Sequence, residues 1–595
     1  MGDHIGDNIL IPQVDNVMLI DKSDGSNKSM DGTLCISGHH LILSSRQNDG
    51  QELWLMNRNI DVVEKKLNTQ SAGGSIILKC KDFQILQLDI NSTNDLTNAV
   101  LSIEKLISLD QTLQYPFFYR PQASNNTIVQ IEDGWTAFAP VSEWSILLAT
   151  HADEWRISYL NRDYKVCNSY PSAVIVPRQI DDKVIVASAS FRDGGRFPVL
   201  CYRYESGSIL LRSSQPLCSA TGKRCKEDER LLNAVLGPGR RGYIVDTRSV
   251  NQAISAKARG GGTEMDTAYP QWRKVHKPIP RPHDLADGFF KLIDACNDVN
   301  SSTSQWLSKL DSSGWLSAVQ SALDAACVTA QCLHQEVAAV LVHGSAGRDS
   351  TLVVTSLAQA ILNPDCRTVR GLQALIEREW LQAGHQFFSR TRSGAYQPSH
   401  SQNPTHAPTF LLFLDCLYQL HHQFQFSFEY TVELLIELYK HAYSSNYGTF
   451  LGDSEAERIK LRLSERTYSL WSYMNQPDVL EQWINPLYEP NPGVIWPSVA
   501  PISIQLWREL YLAHTSAAPW NGLLAYAKQI KQNHIAVRKV AGQLQAQIKQ
   551  ALEEIRSDSD MSQDTDARGE EVAVEESGEE IYPCIAQLSV DSQST

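Results

Sequence analysis

No stretch of the 595-residue chain approaches the ~18 consecutive apolar residues of a membrane-spanning helix. The densest run, Val337 to Val342, has the length of a buried strand. The N-terminus, Met1-Gly2-Asp3-His4-Ile5-Gly6, has neither a basic n-region nor an apolar h-region, so no secretory leader is expected. Position 6 is Gly rather than Ser or Thr, against myristoylation, and Ser592-Gln593-Ser594-Thr595 carries no prenylation cysteine. Contact with membranes is therefore expected to be peripheral. The twelve cysteines lie singly from Cys35 to Cys584 without one CxxC pair. That spacing predicts no metal site, no cofactor and reduced thiols in a cytoplasmic protein.

Basic clusters are scarce too. The net charge is −14, and residues 557–595 alone hold eleven acids, Asp558 through Asp591, against Arg568. That tail carries −10 and leaves −4 for the first 556 residues, so the chain offers no footprint for nucleic acid. Acidic and rich in Ser and Asp, the tail is expected to be disordered. Hydrophobic content of 42% places the rest among ordinary globular proteins, long enough for several domains.

The first ~110 residues alternate like strands. Thr33 to Ser37, His40 to Ser44, Glu52 to Met56, Ser75 to Cys80 and Phe83 to Ile90 are separated by turn formers such as Asn48-Asp49-Gly50 and Ala72-Gly73-Gly74. Leu96, Ala99, Val100, Ile103, Leu106 and Ile107 then follow helical spacing behind a cap at Asn94 or Asp95. Antiparallel strands closed by one helix suggest a small pleckstrin-like β-barrel. From ~120 to ~510 strand candidates (Arg196 to Tyr204, Gly242 to Asp246, Val337 to Val342) mix with helical stretches such as Gly371 to Ala383 and Phe410 to Gln423. This is an α/β pattern without repeats.

From Leu523 the pattern changes again. Steps of four and three pick out Leu523, Ala527, Ile530, His534, Val537, Ala541, Leu544, Ile548, Ala551 and Ile555, apolar at every position but His534. The residues between are rich in Lys, Gln, Glu and Arg, which predicts a coiled coil. The other reading is one long helix packed on the preceding domain; a seam only two residues wide suits a partner helix better. His534 either sets register or reaches solvent at the seam edge.

Chemistry is expected where Val337 to Val342 runs into His343-Gly344-Ser345-Ala346-Gly347-Arg348-Asp349-Ser350-Thr351, before the helical Leu352 to Leu362. A strand, a tight loop and a helix N-terminus aim amides and helix dipole at one spot, which favours phosphate. Cysteine-dependent phosphatases place Cys-x5-Arg there, a thiolate nucleophile and a bidentate clamp. Here those positions hold Gly344 and Ser350, so no catalytic residue is assigned. A serine-hydrolase elbow at Ser345 lacks its first glycine, replaced by His343. A Walker A reading fails for want of a Gly-Lys pair.

Beyond the loop, several separated segments resemble the myotubularin family of phosphoinositide 3-phosphatases. They include Ser37 to Ser44, Phe191-Arg192-Asp193-Gly194-Gly195-Arg196-Phe197-Pro198, Arg212-Ser213-Ser214-Gln215-Pro216-Leu217 and Tyr269-Pro270-Gln271-Trp272. Arg370 to Leu381, Phe410 to Asp415, Gly448 to Gly452 and Trp496-Pro497-Ser498 extend the resemblance over residues 10–510. Active members of the family carry His-Cys-Ser-Asp-Gly-Trp-Asp-Arg-Thr. Laid on this chain, that motif retains His343, Ser345, Gly347, Asp349 and Thr351. It loses the nucleophile at Gly344, an acidic contact at Ala346, the tryptophan at Arg348 and the clamp at Ser350. Asp349 aligns with the family's general acid, and Arg348 stands two residues early for a substitute clamp.

The resemblance implies a domain plan. Residues 1–115 would form a PH-GRAM-like β-barrel and 116–515 an inactive cysteine-phosphatase-like α/β domain with a mixed sheet. Residues 520–556 would be the coiled coil and 557–595 the tail. It further implies a pseudophosphatase, a regulatory subunit that pairs through the coil with active family members, among them members 6, 7 and 8. Such pairing would raise their activity or stability toward phosphatidylinositol 3-phosphate and phosphatidylinositol 3,5-bisphosphate. The implied location is the cytoplasm, at the surface of endosome and endoplasmic reticulum membranes. Pairing is open to a second copy of this chain as well as to an active relative. Two rivals remain: an independent phosphoinositide- or protein-binding membrane adaptor acting through residues 10–110, and an enzyme with unrecognised chemistry. The few clustered Lys or Arg in 10–110 imply weak attraction to anionic lipid.

Overall fold

The computed structural model describes residues 8–21, 28–46, 51–69, 72–108, 132–298, 300–397 and 405–514, with twelve helical positions between 530 and 551. The chain divides into two units, 1–529 and 530–595.

The first unit begins with seven strands: β1 (Gln13–Asp21), β2 (Lys28–Ile36), β3 (His40–Ser45), β4 (Glu52–Met56), β5 (Ile60–Leu67), β6 (Gly74–Cys80) and β7 (Ile85–Ile90). They form one antiparallel sheet in the order β4-β3-β2-β1-β7-β6-β5. Alternation sets the faces, since Ile76, Leu78 and Cys80 of β6 are buried while their neighbours are not. The helix Thr93–Ile107 buries Leu96, Ala99, Val100, Ile103 and Leu106 against the inward side chains of the strands, closing one core. Its cap is Ser92, whose hydroxyl accepts from the Asp95 amide, ahead of the expected Asn94 or Asp95.

Two of these strands escaped the sequence pattern. In β1 the pairing shifts between Val14 and Val17, where Asn16 takes φ 57°, and the bulge breaks the two-residue period. β5 is an edge strand whose outer half, Glu64-Lys65-Lys66 before the terminal Leu67, is mostly polar, as exposed edges are.

A short pair, β8 (Trp155–Ser158) with β9 (Val174–Pro177), precedes the larger α/β layer. That layer is a mixed sheet in the order β10-β11-β14-β12-β13. Its strands are β10 (Val199–Arg203), β11 (Ile209–Ser213), β12 (Gly242–Asp246), β13 (Trp272–His276) and β14 (Ala339–His343). β10 runs antiparallel to β11, and the others are parallel. Central β14 is buried along its whole length, as a strand of continuous apolar residues should be. The helices Trp315–His334 and Ser350–Leu362 join it in a core that also takes in the helix Thr409–Gln423. β14 starts two residues later than the apolar run implied, because Val337 adopts a left-handed φ of 48°. The expected helix over Gly371 to Ala383 instead runs Val369–Ile376 and passes into a π-helical turn, Glu377–Leu381.

The seven-stranded sheet is pinned to the α/β layer through buried polar groups. The Asp61 carboxylate accepts from the amides of Gly394 and Tyr396, and Lys81 Nζ donates to the Thr391 carbonyl. Phe83 stacks on Tyr439 at 5.5 Å within the larger core.

The second unit is helical at its described positions. Of the seam, Ile530, Val537, Leu544 and Ile548 are 51%, 67%, 53% and 60% exposed, and Ala541 and Ala551 are exposed as well. Leu523, Ala527, His534 and Ile555, like the tail, lie outside the described residues. Among the described residues no helix is long and apolar enough to cross a membrane.

Candidate functional site

The sheet delivers the loop. β14 lies between β11 and β12, so His343 at its end faces Ser213 on one side and Asp246 on the other. Ser345 O accepts from the Gln215 amide, and His343 O from the Thr247 amide, which ties the first turn to both neighbours. Gly347 takes φ 68°, and a Cβ there would meet the Ser213 carbonyl oxygen at 2.3 Å. Only glycine fits so tight a return. Arg196, fully buried, donates through Nη2 to the Gly347 carbonyl and through Nη1 to Ser169 Oγ and the Ala383 carbonyl. The helix Ser350–Leu362 then begins without a side-chain cap.

The resulting nest is open. Among the described residues, none of the backbone amides from Ser345 to Ser350 donates to a protein acceptor. Ser345 and Ala346 are exposed, and Thr351 Oγ1 is buried without a hydrogen-bond partner. Those amides and the helix dipole are an anion cradle.

Its charged equipment is missing or engaged elsewhere. Where a nucleophile would stand, Gly344 has no side chain; a Cβ there would meet Thr247 Oγ1 at 2.7 Å and Ser350 Oγ at 3.3 Å. Thr247 and Ser350 share a hydrogen bond of 2.7 Å across that space. The Asp349 carboxylate accepts a fork from Arg390, Nε at 2.9 Å and Nη2 at 2.7 Å. Burial alone would favour the neutral acid, but Arg390 and His385 outweigh it and hold the Asp349 pKa below its usual value. Burial pushes His385 down to about 4, and its Nδ1 donates to the Arg348 carbonyl. Arg348 sends Nη2 toward Asn168 Oδ1 at 3.4 Å, a partner outside the loop. Arg248 is forked onto Asp246 and donates to Gln215 Oε1.

Beneath the loop runs a chain of buried charges that the sequence pattern did not disclose. His343 Nε2 lies 3.0 Å from Glu264 Oε2, whose other oxygen accepts from Arg192 Nη1 at 2.6 Å. Arg192 forks onto Asp228, which also accepts from Tyr269 OH and Ser188 Oγ. Burial opposes a charge on His343, yet Glu264 more than offsets it, and the imidazole pKa is raised. Glu264, likewise opposed by burial, is held well below the carboxylate range by His343 and Arg192. One signal was legible: Gly260-Gly261-Gly262 precedes Glu264, and a Cβ on Gly261 would collide with the Gln215 side chain at 2.4 Å. Thr247, His385 and Arg390 had no such marker.

Among the described residues no group of three or more His, Cys, Asp or Glu is placed to hold a metal ion. The amides and hydroxyls of the loop are arranged to receive an anion.

Residues 13–107 match the GRAM domain of myotubularin-related proteins 6 to 9, and residues 114–459 match the myotubularin-like phosphatase domain. Human myotubularin-related protein 9 is 48% identical over 560 residues, covering 93% of this chain and 98% of that protein. The bovine protein of that name is 48% identical over 91% of this chain and 95% of its own length. Mouse phosphatidylinositol-3,5-bisphosphate 3-phosphatase MTMR6 is 34% identical over 91% of this chain and 87% of its own length. With a GRAM domain ahead of a phosphatase-like domain, and identity of this extent over nearly all of both partners, the chain belongs to the myotubularin family.

Proposed function

We propose that the chain is a catalytically silent myotubularin that regulates an active one, pairing with it through the seam from Leu523 to Ile555. The observation that carries this reading is the loop itself. Its backbone is built to receive phosphate, while Gly344 and Ser350 occupy the places of nucleophile and clamp. Without a thiolate no phosphoenzyme forms, and loss of a nucleophile alone lowers turnover by about 10⁶. Asp349 cannot compensate, because a carboxylate forked to arginine stays ionised and has no proton to give.

The exposed apolar seam supplies a use for the rest of the fold, since such a stripe is stabilised by a facing helix. The partners that fit are active family members of the kind named phosphatidylinositol-3,5-bisphosphate 3-phosphatase, MTMR6 and MTMR8, together with member 7. The pair acts on phosphatidylinositol 3-phosphate and phosphatidylinositol 3,5-bisphosphate, with all of the chemistry in the active subunit. The GRAM region adds peripheral attachment to endosome and endoplasmic reticulum membranes, and the domain limits are those of the sequence plan.

The test is phosphate release from phosphatidylinositol 3-phosphate vesicles by MTMR6, with and without this chain, and by this chain alone. Stimulation of MTMR6 with nothing released by the chain alone is the expected result. Phosphate released by the chain alone would overturn the reading of Gly344 and Ser350.

A further inference from the structure

The helix Val250–Ala258 turns its larger apolar side chains outward. Its buried residues are Ala253 and Ala256, while Val250 and Ile254 are 53% and 63% exposed and Ala258 is exposed as well. Positions 250, 254 and 258 follow at four-residue steps, so they form a single outward stripe. One exposed apolar side chain is ordinary on a protein surface; a stripe of them on a helix that buries only alanine calls for a use. The start of the helix is firmly made, since Ser249 and Gln252 close a capping box there. Cations gather at its other end. Lys257 lies against Gly262, where an added Cβ would meet Lys257 Cγ at 3.8 Å, and Arg259 directly follows the helix. The Lys223 amide closes a turn onto the Cys218 carbonyl, and the Ser219 amide of the same turn donates to the Gly261 carbonyl. All three cations are exposed, and among the described residues none forms an ion pair. Of the acids that follow, Glu264 is buried under the loop and Asp266 is taken by Lys274 at 3.0 Å.

Both ends of this helix are tied to the anion-receiving loop. Ahead of it, Thr247 shares the 2.7 Å hydrogen bond with Ser350. Behind it, the Gly262 amide donates to Gln215 Oε1, and the Gln215 amide donates in turn to the Ser345 carbonyl. We propose that the helix lies in the headgroup layer of an anionic lipid bilayer, with Val250 and Ile254 inserted and Lys223, Lys257 and Arg259 on lipid phosphates. The loop 343–351 then stands beside the headgroups. A short helix with an apolar stripe and cations at its edge is the form of an interfacial anchor, and each cation near such a surface adds attraction. This is a membrane contact separate from the GRAM region, and it stands whether or not the chain pairs through its C-terminal seam. Two other occupants fit less well. A protein interface needs a wide surface with an aromatic or arginine anchor at its centre, and the stripe offers Val, Ile and Ala. A second copy laid on the same helix would bring Lys257 and Arg259 toward their own kind.

The experiment sediments the full chain with vesicles of phosphatidylcholine alone and of phosphatidylcholine with phosphatidylserine. Amide hydrogen exchange of residues 249–259 is followed with and without them. The chain should bind the phosphatidylserine vesicles more tightly, and residues 249–259 should exchange more slowly on them. Val250→Ser with Ile254→Ser should weaken binding about tenfold at every salt concentration. Lys257→Gln with Arg259→Gln should weaken it about tenfold at low salt, and the gap should close at high salt. All four changes lie on exposed positions, so the urea midpoint should stay native. Parent-like binding by both variants, with 249–259 unprotected, would leave attachment to the GRAM region and overturn the helix. Failure of the full chain to bind either vesicle would overturn it too. Protection of 249–259 by added MTMR6 without vesicles would make the occupant a protein. Protection that grows with the concentration of the chain alone would make it a second copy. Either result overturns the proposal.

Discussion

A methyl group on Gly344 would stand 2.7 Å from Thr247 Oγ1, the hydroxyl that bonds Ser350 across the loop. The colliding atom is the end of a rotatable side chain, so Thr247 can turn away, but the hydrogen bond is then lost. Gly344→Ala should therefore cost roughly 1–3 kcal/mol in a urea titration. Thr247→Ala in the same chain should return most of it, a coupling that two independent sites would not show. The same crowding bears on revival. Gly344→Cys with Ser350→Arg must displace Thr247, and Ala346 and Arg348 stay foreign to the active motif, so phosphate release from phosphatidylinositol 3-phosphate should remain at background. Below the loop, His343 has a raised pKa beside Glu264. A histidine pKa raised by folding lends stability that is complete below the unfolded value of about 6.5 and is lost as pH rises through the folded one. Unfolding free energy should accordingly fall as pH is raised above about 6.5, and His343→Gln should lack that slope. Urea midpoints across a pH series check it, and parallel profiles for the two proteins would count against the pair.

At the scale of elements, the joint between β5 and β6 and the segment 391–397 shows how a few polar groups fix one layer on another. Asp61 is buried, its pKa raised by that burial, yet its carboxylate takes the amides of both Gly394 and Tyr396. Lys81, buried beside it, is lowered to about 7, again chiefly by burial. Asp61→Ala removes both acceptors and strands the lysine, a change that should cost about 3–5 kcal/mol. Lys81→Met keeps the stem and removes the charge, so its cost should be well below that of Asp61→Ala. Thermal unfolding of the two variants side by side decides the order. Neither Asp61 nor Lys81 was legible in advance, because nothing in Ile60 to Leu67 or Ser75 to Lys81 tells a strand which loop will cover it. What was legible followed local rules. β12 emerged at Gly242–Asp246 as read, and the helix Thr409–Gln423 began one residue early. The loop from His343 to Thr351 was found because a strand, a glycine turn and a helix start adjoin in sequence. Glu264 and Arg390, which complete its electrostatics, come from segments 79 and 41 residues away from His343 and Asp349. Such partners are chosen by packing, and no period or motif records it.

Over the whole molecule the charge is divided as the proposed division of labour requires. The acidic tail takes −10 of the net −14, while residues 523–555, which carry the seam, hold Lys528, Lys531, Arg538, Lys539 and Lys549 against Glu553 and Glu554. Among the described residues, the buried side chains of the first unit's sheet core and of its larger α/β core all come from residues before 512. Damage to the seam should therefore leave that unit's folding untouched and strike only what the seam does. Ile530 and Leu544 are 51% and 53% exposed in the single chain. Glutamate at both places meets water there and should shift the chain's own unfolding by no more than about 0.5 kcal/mol. In a pair each position would be buried against the facing helix, and a carboxylate without a partner there is strongly unfavourable. Ile530→Glu with Leu544→Glu should thus keep the native urea midpoint, lose co-purification with MTMR6 and lose stimulation of phosphate release. Stimulation that survives in a chain no longer retained by MTMR6 would place the regulatory contact on the first unit. A lowered midpoint would mean that the helix packs within its own chain, the alternative that a heptad pattern alone does not exclude.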